Sequence, residues 1–77
     1  MGAPIRESAT WDAGALGCGE LVLELRNRLR AMPGGVLKVV ATDPGAPADI
    51  PAWCRLTGNA LLRQDAVACC YWIQAKQ

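Results

Sequence analysis

Seventy-seven residues make one small domain, close to the lower size at which a single apolar core holds a fold without staples. Hydrophobic residues form 52% of the chain and charged ones 19%, the composition of a compact protein rather than a disordered tail. Eight basic against seven acidic residues leave a net charge of +1, too small to draw nucleic acid or a membrane by its overall field, and the lack of histidine excludes a Cys-His pair and imidazole-containing zinc sites.

In chain order, residues 1–8 are expected as a frayed arm and residues 9–77 as a single domain. Met1 to Ser8 lacks the apolar middle of a signal peptide, and no apolar run approaches the roughly eighteen residues that span a bilayer. The expected location is therefore the reducing cytoplasm, with the four cysteines as free thiols. Ala9 to Ala13 carries β-favouring residues and stops at Gly14, which predicts a first strand. From Cys18 the apolar positions fall at Cys18, Leu21, Val22, Leu25, Leu29 and Met32, the spacing of an amphipathic helix. Its other face holds Glu20, Glu24, Arg26, Asn27, Arg28 and Arg30, acids first and bases later as the macrodipole favours, with Glu24 and Arg28 spaced to pair. Pro33-Gly34-Gly35 ends it.

Val36 to Ala41 is β-branched and mostly apolar, a central strand buried on at least one face. A turn-rich loop over Thr42 to Pro47 follows, then a second helix from about Ala48, with Pro51 still early in it, closed by Gly58-Asn59. Ala60 to Gln64 and Cys69 to Ile73 read as two strands of a closing hairpin around Asp65-Ala66-Val67. The order βαβαββ predicts an α+β fold, an open two-layer sandwich with two helices packed on one face of a four-stranded mixed sheet.

Cys18 sits between Gly17 and Gly19 where the first helix begins. A helix start presents unpaired N–H groups and partial positive charge, which favour the thiolate, the nucleophilic form of cysteine. Small neighbours leave room for another protein's sulfur. Thiol exchange or sulfur transfer fits a cysteine without an imidazole partner better than peptide hydrolysis does. The competing reading makes Cys18 a small apolar residue on the buried side of the helix, and residues alone do not separate the two.

The sequence resembles the TusA (SirA-type) family of small sulfur-carrier proteins from Thr10 to its end. The family's Leu-Asp-x-x-Gly-Leu-x-Cys-Pro-x-Pro stretch is met by Trp11-Asp12-Ala13-Gly14-Ala15-Leu16-Gly17-Cys18-Gly19-Glu20-Leu21, which keeps the Asp, the second Leu and the Cys. The family's strand, Asp-Pro loop, Asp-Ile-Pro helix and following aromatic-Cys pair resemble Val36 to Ala41, Asp43-Pro44, Asp49-Ile50-Pro51 and Trp53-Cys54. The resemblance implies a carrier whose cysteine, matched by Cys18, accepts sulfane sulfur as a persulfide from a desulfurase or rhodanese-type donor and relays it to an acceptor protein. It further implies a monomeric, cytoplasmic persulfide carrier rather than a free-standing turnover enzyme, with no cofactor and no metal. Both prolines of the motif are replaced, by Gly19 and Leu21. Either partner choice is altered, which the retained cysteine favours, or the chain keeps the fold as a regulatory or interaction domain without transfer.

The remaining chemistry-bearing residues have structural readings. Cys54 is expected in the core, and Cys69 and Cys70 as adjacent structural thiols on opposite faces of a regular strand. Trp11, Trp53 and Trp72 are too widely separated for a stacking platform and are expected to pack in the core or at an edge. Arg26, Arg30, Lys38 and Arg55 read as solvated charge, and Asp43 and Asp49 as turn and helix-start residues. Gly14-Ala15-Leu16-Gly17 matches the GxxG loop of RNA-binding KH domains in form, but its middle is uncharged, and nucleic acid is not an expected partner.

Overall fold

The computed structural model describes residues 5–77, so half of the predicted arm, residues 1–4, lies outside the described residues. Its elements run β1 (Ala9–Gly14), α1 (Cys18–Arg30), β2 (Val36–Ala41), α2 (Ala46–Thr57), β3 (Ala60–Asp65) and β4 (Cys70–Gln74). The strands form one sheet in the order β1-β2-β4-β3, with β1 and β2 parallel and the other neighbours antiparallel. This is the expected α+β architecture with a mixed sheet. The near end of the predicted arm is tied down, since Ser8 N–H donates to the Val36 carbonyl (2.7 Å) and Ser8 Oγ accepts from Val36 N–H (3.2 Å).

Alternation builds the two layers. In β2 the residues Leu37, Val39 and Ala41 are buried and those between them are not, the period-two pattern of a strand covered on one face. Register carries that face across the sheet, because Val39 pairs with Trp11 and Tyr71, and Ile73 with Leu37 and Leu61. Leu21, Leu25 and Leu29 of α1 and Ala46, Ile50 and Cys54 of α2 close over it. The buried stripe of α1 is narrower than its apolar spacing predicts, for Val22 is only half-buried and Met32 lies beyond the end of the helix at Arg30.

Two boundaries differ from expectation, each for a local reason. α2 opens at Ala46, two residues early: Asp43 Oδ2 accepts the Gly45 N–H (3.0 Å) and the Asp43 carbonyl accepts that of Ala46, so the turn runs straight into the helix. Pro51 is therefore an interior residue of α2 with no N–H for the Pro47 carbonyl, and Gln64 Nε2 of β3 reaches that carbonyl instead (3.2 Å). β4 starts at Cys70 rather than Cys69, because Cys69 adopts a left-handed φ of 58° and belongs to the hairpin turn.

Candidate functional site

β1 delivers the chain to the candidate site. Asp12 Oδ1 accepts the Gly14 N–H (2.9 Å), and Gly14 takes a φ of +57°, a conformation that glycine enters without Cβ strain. The Gly14 carbonyl accepts Thr42 N–H (2.8 Å), which fixes this corner to the end of β2. Leu16 packs against the core while Ala15 and Gly17 are exposed, so one side chain anchors an otherwise solvent-facing loop.

Gly17 is the N-cap of α1, with extended φ −70° and ψ 165°, and its carbonyl accepts the first helical bond from Leu21 N–H (2.8 Å). Cys18 is the first helical residue. Among the described residues no side chain hydrogen-bonds as a cap at this end, and the only acid of the first turn is Glu20, so the backbone N–H groups of a 13-residue helix start without a side-chain cap. A Cβ added at Gly17 or Gly19 would meet nothing within 4 Å beyond the local chain, so the positions flanking Cys18 are open on both sides. Gly19 is the second helical residue and Leu21 the fourth, and Leu21 is buried, which explains why an apolar side chain stands there in place of the motif's second proline.

The other cysteines separate by environment. Cys54 lies in the core with 3% exposure, and burial pushes its thiol up to about 11. Cys69 is half-exposed and Cys70 buried, and the two are not on opposite faces of a strand: Cys69 Sγ lies 3.8 Å from the Ala66 carbonyl and Cys70 Sγ 3.3 Å from that of Ala68. Ala41 N–H donates to the Cys69 carbonyl (2.9 Å), and Ala41 also pairs with Gly14. The hairpin turn thus shares the sheet end from which α1 departs, about 10 Å from Gly14 by two strand spacings. Among the described residues no group of three or more His, Cys, Asp or Glu side chains converges for a metal ion.

The tryptophans part company. Trp11 is in the core beneath Arg28, whose guanidinium stands 4.6 Å from the ring centroid and also 3.5 Å from Glu24, the predicted i, i+4 pair. Trp53 packs partly buried against the core. Trp72 alone is on the uncovered sheet face, between Lys38 (5.5 Å) and Arg63 (5.9 Å) on the flanking strands. Arg26 and Arg30 line a cavity of about 500 Å3 with Trp53, Pro33 and Lys76, at the end of α1 remote from Cys18. Asp49 stands in the first turn of α2, and Arg55 is an exposed residue of its last turn.

Comparison with known proteins places this geometry within a family. The family described as "Sulfurtransferase TusA" matches residues 9–74, a span that runs from the first residue of β1 to the last of β4 and includes Cys18. The chain belongs to the TusA family. A "Sulfur carrier protein TusA" of Pseudomonas paraeruginosa is 45% identical over 71 residues, covering 88% of this chain and 90% of that protein. Proteins of the same description from Pseudomonas entomophila and Pseudomonas putida (strain GB-1) are 46% and 45% identical over 71 residues, each covering 88% of this chain and 89% of their own. What sequence reasoning missed is the turn at Cys69, whose conformation has no residue signal because glycine, not cysteine, is the usual sign of a left-handed φ.

Proposed function

We propose that this chain is a sulfur carrier whose Cys18 takes up sulfane sulfur as a persulfide and yields it to an acceptor protein. The observation that carries the reading is the position of Cys18 as first residue of an uncapped α1, between two exposed glycines, within the span that matches the family. The backbone pole favours the thiolate, which attacks the outer sulfur of a donor persulfide R–S–SH. A bond forms from Cys18 sulfur to that sulfur, the donor's S–S bond breaks, and the donor leaves as a thiolate. An acceptor thiolate then attacks the same outer sulfur and Cys18 departs as the thiolate, so the cycle returns the carrier unchanged.

The donor on this reading is of desulfurase or rhodanese type, and donor and acceptor meet the chain in the cytoplasm. In the absence of histidine the carrier works by position and charge alone, acting as a persulfide carrier of sulfurtransferase type with no cofactor or metal. Glycine at Gly19, in place of proline, leaves the cysteine loop less constrained and alters which partners it fits. Among the described residues no helix is long and apolar enough to cross a membrane.

Incubation with a persulfide donor followed by mass spectrometry tests the proposal. One added sulfur is expected on the tryptic peptide 7–26, which contains Cys18, and is lost in Cys18→Ser. Wild-type protein that gains no sulfur on this peptide would leave an interaction domain without transfer.

A further inference from the structure

Cys69 and Cys70 are a pair of nucleophiles that the reading of Cys18 does not use. A regular strand would send neighbouring side chains to opposite faces, but the left-handed torsion at Cys69 breaks that alternation. Both sulfurs are consequently turned onto one hairpin turn, against the carbonyls of Ala66 and Ala68. The turn is a built one: Asp65 Oδ1 accepts Ala68 N–H (3.1 Å), the Ala66 carbonyl accepts Cys69 N–H (3.3 Å), and β2 holds the peptide between the two cysteines through Ala41 N–H. A residue other than glycine is strained at this φ, so the thiol of Cys69 is kept where the backbone would favour its absence. Exposure then divides the roles, since Cys69 is half-exposed at a tip where Val67 is 98% exposed, while Cys70 is 8% exposed directly beside it.

We infer that Cys69 and Cys70 form a second sulfur-reactive site, a vicinal dithiol that reduces small persulfides to sulfide. The Cys69 thiolate attacks the outer sulfur of R–S–SH, forming Cys69–S–SH and releasing R–S−. The Cys70 thiolate then attacks the Cys69 sulfur, closing a Cys69–Cys70 disulfide and expelling HS−. One persulfide and two thiols thus become one R–SH, one hydrogen sulfide and one disulfide; the sulfane sulfur gains two electrons and the two cysteines lose them. Only Cys69 needs to be reachable, because its partner acts from within the turn.

Adjacent α-carbons stand about 3.8 Å apart across a trans peptide, short of the usual disulfide span of about 4.4–6.8 Å, so the ring is strained and reopens readily with thiols. That property suits a site that cycles rather than a structural staple. The inference shares its substrate class with the reading of Cys18 but not its residue, so the two stand or fall separately.

The test uses the full chain, anaerobic, with glutathione persulfide as the probe and no added reductant. Tryptic peptide 64–76 contains both cysteines and no other. In wild type and in Cys18→Ser alike, this peptide is expected to lose two hydrogens while about one sulfide is released per chain. Cys70→Ala should retain an extra sulfur on Cys69 and release no sulfide. Cys69→Gly, which suits the turn's torsion and so folds, should show neither change. Peptide 64–76 with both thiols intact in the wild type, or a disulfide from either to Cys18 or Cys54, overturns the inference, whatever peptide 7–26 has gained.

Discussion

Burial sets Cys54 apart from Cys69. The Cys54 sulfur sits in the core between α2 and the sheet, where a thiolate would lose its hydration and find no compensating partner, and its thiol is pushed up to about 11. At pH 8 the ionised fraction is then about one in a thousand, before any barrier to reagent entry is counted. A variant carrying Cys18→Ser, Cys69→Gly and Cys70→Ala isolates this thiol. It should take no label from iodoacetamide at pH 8 while folded and one label per chain in urea, as read by intact mass. Labelling of the folded variant at the unfolded rate would show that Cys54 is neither shielded nor raised, and that the family's aromatic-Cys pair has an open cysteine here.

At the scale of elements, the two ends of the helices turn one substitution into opposite effects. Gly19, in the first turn of α1, has no left-handed φ and open space where a Cβ would point, so Gly19→Ala removes unfolded-state freedom and should stabilise by about 0.5–1 kcal/mol. Gly58 caps α2 with a φ of +82° and donates its N–H to the Cys54 carbonyl (3.0 Å), so Gly58→Ala should cost about 1 kcal/mol or more. Urea unfolding of both variants checks this, and equal signs would mean that the backbone conformations are not those described. The same contrast explains how far the elements can be read in advance. α1 is legible because its apolar spacing, its acids and bases and its closing glycines agree, and the helix start places Cys18 with it. The start of α2 is not, because Pro47 and Pro51 mask a helix whose freed carbonyl is rescued by Gln64, a partner 17 residues away. Nor is the turn at Cys69, which departs from the residue preference that makes turns readable. The order β1-β2-β4-β3 rests on pairings between distant segments, which local pattern does not encode.

Taken as a whole, the molecule carries its titratable liabilities on the alkaline side. Among the described residues no charged side chain is buried, and the chain has no histidine, so little changes inside the fold between pH 6 and 8. Two buried weak acids have their values raised. Cys54 moves from 9.0 to about 11 by desolvation, and Tyr71 is raised above 10.0 by burial first and then by negative charge on the neighbouring Cys69 and Cys70. A group whose value is raised on folding contributes stability that is whole below its unfolded value and lost as pH climbs through the folded one. For Cys54 that window runs from about 9 to about 11, and the shift corresponds to roughly 2–3 kcal/mol, a large share of the 5–15 kcal/mol typical of a small domain. Tyr71 adds to the same loss above 10. The urea midpoint, measured under reductant, should therefore hold level from pH 6 to 8 and fall steeply between pH 9 and 10.5. Cys54→Ala should lower the midpoint at pH 7 through its small cavity yet flatten the alkaline fall, and Tyr71→Phe should flatten its upper part. If neither Cys54→Ala nor Tyr71→Phe changed that slope, the loss would belong to charges on the surface, and the core would not be where alkali acts.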